Sequence, residues 1–170
     1  MSIFLVAVPT SVQVLNAVSA MLGKAAAYCA ERKVDEAVLL GSRLALDMLP
    51  LARQVQIAAD FPKNLVARLA GVPIPSMPDT ETTVAELQDR LARTVAFIGG
   101  FKPAQVDGTE AKEISFKVAG QEMRFTGQQY LLHFMLPNLH FHAATAYGIM
   151  RHNGVPLGKR DYMGAIPGMG

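Results

Sequence analysis

The chain has 170 residues, of which 51% are hydrophobic and 18% are charged, and its formal net charge is +2. This length fits a single domain, 1–170, with a sizeable core. The basic residues are scattered and do not alternate with aromatic ones, which argues against a nucleic-acid partner. The high apolar fraction predicts that surplus apolar surface is buried against a second copy of the chain, so a homodimer is the expected state.

Two further features of the composition bear on location and redox chemistry. The apolar start, MSIFLVAVPTSVQVL, has no basic segment and is interrupted at Pro9, so we expect a soluble, cytoplasmic protein without a membrane partner. The single cysteine, Cys29, excludes an internal disulfide. Its spacing places it on the apolar face of a helix, where a buried structural thiol is favoured over a nucleophile.

The first half of the chain predicts helices. Apolar residues recur at steps of three and four at Leu15, Val18, Leu22, Ala25 and Cys29. They predict a helix that starts near Thr10 or Ser11 and ends near Arg32. A second helical stretch is predicted over 35–48.

The next helix is predicted from its end signals. Asp47 has the position of an N-cap, with Pro50 in the first turn, where its missing N–H costs nothing. Gly71 should end this helix, and Pro62 should kink it. Three prolines within 72–78 then predict an extended connector.

A capping box at Thr83-Val-Ala-Glu86 predicts a helix that runs to Gly99. The hydrophobic period then changes to two over 114–125, with a turn at 119–121, which predicts a β-hairpin.

A second capping box, Thr126-Gly-Gln-Gln129, opens the final long helix. Pro137 should kink or split that helix, and Gly154 should cap it. The glycine-rich and proline-rich end, 154–170, is predicted to be irregular and to lie over the bundle or contact a partner. Together these elements predict an all-α fold: an up-down four-helix bundle with a long crossover connection and a small β-hairpin insertion.

The candidate site residues are polar side chains on apolar helix faces. Asn138 and His142 are four residues apart and share one face of the last helix, whereas His140 faces elsewhere. Gln54 lies on an apolar face, and a buried amide needs partners. If Gln54, Asn138 and His142 converge, they form a ligand-binding cluster of one imidazole and two amides. Such a cluster is a poor zinc site, but it could bind a polar small molecule, a water network or a weakly held metal.

These polar residues also have purely structural interpretations. A single histidine on an apolar face is more often a hydrogen-bonded core residue than a ligand. Asp47 is expected to be a helix cap, and the stripe of Arg53, Gln56 and Asp60 a solvated or ion-paired face.

Several segments resemble a known family: RLALDMLPLARQVQIAADF, DTETTVAELQDR and PNLHFHAATAYGIMRHNGVPLGKRD. They are similar to DUF1993, a bacterial and fungal family of unknown function within the DinB/YfiT-like superfamily. The resemblance covers nearly the whole chain. It implies a DinB-like up-down four-helix bundle with a longer second connection, usually dimeric.

The superfamily resemblance also implies a metal site with three histidines, one from the second helix and two spaced four apart on the last. His142 falls on the second of the paired histidines, and Asn138 stands in place of the first. The second helix lacks its histidine, with Gln54 or Asp47 nearest to the position. The ligand set is therefore broken, and His142 is the one remaining candidate ligand for a divalent zinc, nickel, iron or manganese ion.

Two function classes stay open. The favoured one is a non-catalytic or small-molecule-binding bundle with a degenerate metal site. The alternative is a metal-dependent, thiol-transferase-like transferase or hydrolase, in which the ion or His142 activates a water. The enzyme hypothesis predicts at least two oxygen donors near His142 in an open pocket. The non-catalytic hypothesis predicts a buried imidazole satisfied by one or two neighbours.

Overall fold

The computed structural model describes residues 2–118 and 120–168. In chain order its helices are α1 (Ile3–Arg32), α2 (Glu36–Leu40), α3 (Leu51–Ala70), α4 (Val84–Gly99), α5 (Pro103–Val106), α6 (Gly127–Gln129), α7 (Leu136–His152) and α8 (Lys159–Met163). The helices α1 and α3 each pack against both α4 and α7. These four long helices enclose one apolar core, so the predicted helical bundle is confirmed.

The first helix starts earlier than predicted, at Ile3 rather than near Thr10. The Ser2 hydroxyl accepts from the Leu5 amide, and the Asp107 carboxylate accepts from the Phe4 amide at 2.9 Å. These bonds satisfy amides of the first turn, which have no partner within the helix. The prediction was wrong because part of the cap comes from a residue 103 positions away.

By length and composition, α1 could cross a membrane, since an 18-residue window of it has a mean hydropathy of 1.7. Within this fold, 44% of that window is buried. Ile3, Leu15 and Leu22 on its inner face are fully buried. At least part of the apolar character of α1 therefore serves the bundle core.

The predicted helix over 35–48 is wrong beyond its first turn and a half. Helix α2 ends at Leu40, and the chain then turns through residues 41–50, which we call the 41–50 loop. The Ser42 carbonyl accepts from the Leu51 amide at 2.9 Å, so a backbone group satisfies the start of α3. Asp47 is exposed in this loop and Pro50 is the N-cap residue, so the predicted Asp47 cap is also wrong.

The predicted end of α3 and the predicted start of α4 are confirmed. Helix α3 continues through Pro62 and ends at Gly71, which has φ 70° in the left-handed region that glycine tolerates. The connector after it has no helix or strand until α4. The Thr83 hydroxyl and the Glu86 carboxylate cap each other's amides, as the sequence pattern predicts.

A fully buried arginine ties the proline-rich connector to the bundle. The Arg90 guanidinium lies 3.0 Å from carboxylate oxygens of Asp60, Asp79 and Glu81, and it also donates to two connector carbonyls. Burial alone would raise the pKa of Glu81, but hydrogen bonds from its own backbone, Arg90 and Gln56 lower it. The stripe of Arg53, Gln56 and Asp60 is thus ion-paired, with Gln56 buried and the two charged residues half-buried.

The hairpin consists of β1 (Glu113–Val118) and β2 (Gln121–Thr126), paired antiparallel with Val118 opposite Gln121. Gly120 in the turn has φ 82°, and the predicted turn residue Ala119 lies outside the described residues. Phe116 and Phe125 of the hairpin pack against Tyr130 and Phe134 at centroid distances of 5.2–5.7 Å. The hairpin therefore covers the helix that follows it.

The last long helix accommodates Pro137 by a change of register. The capping box at Thr126 opens α6 as predicted, and a π-helical turn, Tyr130–Met135, joins it to α7. Within that turn the Leu136 amide donates to the Leu131 carbonyl, five residues back. A π-helical turn is a known way to absorb a disturbance in a helix, and here it lies directly before the proline.

The end of the chain lies over the bundle, which is one of the two predicted outcomes. Helix α7 is followed by the cap residue Asn153 and by Gly154 at φ 91°. The segment beyond is not wholly irregular, because it contains α8, which packs on α1. Lys24 of α1 pairs with Asp161 at 2.6 Å.

The Arg90 cluster gives a stability prediction. Replacing Arg90 with methionine should reduce the free energy of unfolding by about 3–5 kcal/mol, because the buried carboxylate of Glu81 loses its cation. Urea denaturation measures this loss. The matched control is Arg93→Met, which removes an exposed arginine that pairs with Asp89 on the same helix and should cost less than about 1 kcal/mol. Equal losses in the two variants would contradict the proposed role of Arg90.

Candidate functional site

The side chains of Gln54 and His142 meet between α3 and α7. The Gln54 Oε1 atom lies 2.7 Å from Nδ1 of His142, and the Gln54 Nε2 atom donates to the Leu49 carbonyl at 3.0 Å. A carbonyl can only accept, so the amide NH2 must face Leu49 and the amide oxygen must face the ring. His142 Nδ1 therefore carries the hydrogen and donates it to Gln54.

The imidazole of His142 is 9% exposed and lies among aromatic rings. Phe61 stacks near-parallel to it at 5.8 Å between centroids, and Phe141 meets it edge-on at 5.2 Å. Burial lowers the pKa of His142 below the ordinary value of 6.5, because the charged ring would lose its hydration. The ring is therefore neutral at pH 7, and its Nε2 atom keeps a lone pair.

The other predicted site residues do not join this pair by hydrogen bonds. Asn138 lies one turn before His142, half-buried, and its amide donates to the Phe134 carbonyl of its own helix at 2.7 Å. Asp47 is exposed in the 41–50 loop. His140 faces another neighbour, with its Nδ1 atom 3.1 Å from the Tyr162 hydroxyl of α8.

The donor set around His142 does not fit a catalytic metal ion. Within residues 2–118 and 120–168, no three histidine, cysteine, aspartate or glutamate side chains are grouped so that they could hold a metal. Catalytic zinc sites use three protein ligands, and first-row metals prefer charged oxygen, nitrogen or sulfur donors over neutral amides. The single imidazole nitrogen of His142 falls short of that requirement.

Two parts of the site were not predicted from the sequence. The Leu49 carbonyl belongs to the 41–50 loop, which was predicted as helix. A glutamine in the first turn of a helix can reach back to the preceding loop, and this is the signal that could have indicated the contact. The second part is a row of rings from Phe116 through Phe134 to Phe61, with centroid distances of 5.6 Å, which connects the hairpin to the stack on His142.

The sequence matches the model of the family described as Domain of unknown function (DUF1993) over residues 3–163. The chain belongs to the DUF1993 family. A DinB family member protein from Shewanella denitrificans, with a crystal structure at 1.83 Å resolution, is 42% identical in sequence to this chain. The match covers 98% of this chain and 94% of that chain, with a TM-score of 0.88.

The resemblance predicted from the sequence segments is thus confirmed, as is the DinB-like bundle. None of the curated proteins matches this DUF1993 chain. The family is described only as a domain of unknown function. An inference about function therefore rests on the side chains of this protein.

The buried neutral His142 gives a pH prediction. Because its pKa is lower in the folded state, the unfolded chain takes up the proton first as the pH falls. The stability that this residue contributes is fully present above the unfolded pKa of about 6.5 and is lost as the pH falls through the folded pKa. Urea denaturation at a series of pH values should show this loss in the wild type and a smaller one in His142→Gln.

The matched control is His152→Gln, which removes an exposed histidine from the end of the same helix. It should keep the pH dependence of the wild type. An unchanged slope in His142→Gln would show that the ring is not buried in its neutral form.

Proposed function

We propose that this DUF1993 protein is a non-catalytic helical bundle that acts as a homodimer and binds a small molecule, with a degenerate metal site. In this proposal, Gln54 and His142 stand at the metal position of the superfamily but hold the 41–50 loop against the bundle. The observation that carries the proposal is the Gln54 amide, which accepts from His142 and donates to the Leu49 carbonyl. Both polar ends of the amide are engaged within the chain.

The surroundings of the imidazole support a structural role. The amide oxygen points at the Nδ1 hydrogen rather than toward a space beside Nε2, and the flanking groups Phe61 and Phe141 supply no charge. A water near His142 would be activated by one neutral imidazole whose protonation is disfavoured by burial. This arrangement is typical of a satisfied buried histidine.

One observation favours the alternative, a metal-dependent transferase or hydrolase. A metal-bound histidine commonly donates the N–H of its second ring nitrogen to an acceptor. His142 has this arrangement, because Nδ1–H donates to Gln54 and the lone pair of Nε2 is left for an ion. An ion held there would depend on ligands outside the chain or on a reoriented Asn138. The thiol-transferase-like hypothesis thus makes a distinct prediction about metal content.

Metal content tests the two alternatives. We expect no stoichiometric zinc, nickel, iron or manganese in untagged protein purified without chelator, and no difference from His142→Ala, by elemental analysis. The double variant Gln54→His with Asn138→His restores three histidines and should take up zinc, which makes it the positive control. Stoichiometric metal in the wild type that is lost in His142→Ala would contradict the non-catalytic proposal and support the enzyme.

The homodimer is supported by the surface of the 41–50 loop. Leu44 and Leu49 are exposed, and Leu46 is 96% exposed, which is unusual for so large an apolar side chain. Arg43 and Asp47 lie in the same loop, both exposed, and neither pairs with another charge in the described part of the chain. Such a surface is self-complementary, because in a two-fold contact the arginine of one protomer can face the aspartate of its partner.

Substitution of Leu46 tests this interface. A glutamate at this position should convert the dimer to a monomer, because it places a charge at the centre of an apolar contact. Light scattering after size-exclusion chromatography measures the mass. The control is Leu5→Glu, an exposed leucine in the first turn of α1, roughly 40 Å along that helix from Arg32. A monomeric wild type, or a dimer that survives in Leu46→Glu, would contradict this interface.

A further inference from the structure

A cavity of about 400 Å³ lies where α1 and α7 end, beside α2. Its volume is within the range of small-molecule sites, about 300–1,000 Å³. The lining includes Cys29, Arg32, Val38, Leu39, Ser42 and Asn153. Asn153 follows His142 by roughly 16 Å along α7, so the cavity is separate from the site described above.

The interior of the cavity is apolar. Leu39 is buried, and the thiol of Cys29 is only 3% exposed. Val38 at the mouth is 64% exposed, so the described chain leaves most of this apolar residue uncovered. Burial raises the pKa of the Cys29 thiol, and the charges of Glu36 and Asp35 raise it further. The thiol is therefore an uncharged lining group rather than a nucleophile.

The mouth of the cavity carries an arginine without a carboxylate partner. The Arg32 guanidinium lies over the Tyr28 ring, 5.1 Å from its centroid, and in the described part of the chain it forms no salt bridge. Two carboxylates that follow Arg32 in the chain are engaged in capping helices. Asp35 accepts from the Ala37 amide and Glu36 from the Val84 amide, each at 2.9 Å. Among the residues that line the cavity, Arg32 is the cation, and no carboxylate of the described chain pairs with it.

The helix ends fix how a ligand would lie. The carbonyl ends of α1 and α7 carry partial negative charge, which disfavours an anion deep in the cavity. The Ser42 hydroxyl donates its one hydrogen to the Val38 carbonyl, and the Asn153 amide donates one of its two hydrogens to the Ile149 carbonyl, each at 2.8 Å. Neither side chain carries a charge. An anionic group is thus favoured at the rim, on the guanidinium of Arg32.

We propose that this cavity binds a small amphipathic carboxylate. Its short apolar chain packs against Val38, Leu39 and Cys29, and its carboxylate pairs with the Arg32 guanidinium at the rim. A planar guanidinium bonds a carboxylate through two parallel N–H groups, which suits this head group better than a hydroxyl. The proposal concerns a different site from His142 and does not require the homodimer.

The test uses hexanoate as the probe and Cys29 as the reporter. Cys29 is the only cysteine, so alkylation by N-ethylmaleimide reports on this cavity alone. Hexanoate should slow the alkylation at lower concentrations than hexan-1-ol, which has the same chain without the charge. Arg32→Gln should raise the hexanoate concentration needed by about tenfold and leave protection by hexanol unchanged. Arg93→Gln, an exposed arginine on α4, is the matched control.

A direct measurement accompanies the labelling, because a thiol this buried reacts slowly. Hexanoate should shift the methyl NMR signals of Val38 and Leu39, and Arg32→Gln should weaken that titration about tenfold. Equal effects of hexanoate and hexanol, or no shift with either, would overturn the proposal. Alkylation that slows with protein concentration alone, in the wild type but not in Leu46→Glu, would show that a second copy covers the mouth and would also overturn it.

Discussion

The carboxamide of Gln54 joins three parts of the molecule that the sequence keeps apart. Its oxygen accepts from His142 of α7, and its NH2 group donates to Leu49 in the 41–50 loop, while its own backbone belongs to α3. Both bonds involve groups that are costly to leave unpaired once they are buried. The amide therefore fixes the tautomer of the imidazole and the place where the exposed loop meets the bundle. The proposed dimer surface lies on that loop, so the proposal connects Gln54 and His142 to partner binding.

Regular elements were predictable where local signals set them. Glycine in the left-handed conformation ends α3, a capping box opens α4, and a period of two marks the hairpin, because each depends on neighbours in the sequence. The start of α1 was not predictable in this way, since Asp107 supplies part of its cap from a distant loop. The 41–50 loop was missed for a similar reason: the Ser42 carbonyl, rather than an Asp47 side chain, satisfies the start of α3.

The site was predictable in part. Gln54 and His142 both lie on apolar helix faces, and buried polar groups seek partners, so their meeting follows from sequence spacing and the bundle topology. Asn138 shares the face of His142, but its amide donates to its own helix, a choice of rotamer that spacing does not determine. The cavity beside Cys29 depends on how three helix ends pack together. The spacing of apolar residues predicts that Cys29 is buried, but it does not predict a cavity next to the thiol.

Nitrogen NMR of the His142 ring tests the central claim, that this residue holds the loop through Gln54 rather than a metal ion. The account predicts a neutral ring at pH 7 with the hydrogen on Nδ1 and a bare Nε2, and both ring signals should stay in place when an equimolar amount of zinc is added. The Nδ1 signal should change in Gln54→Ala, which removes its acceptor. A hydrogen on Nε2, or a zinc-dependent shift of Nε2 that saturates at one equivalent, would contradict the account.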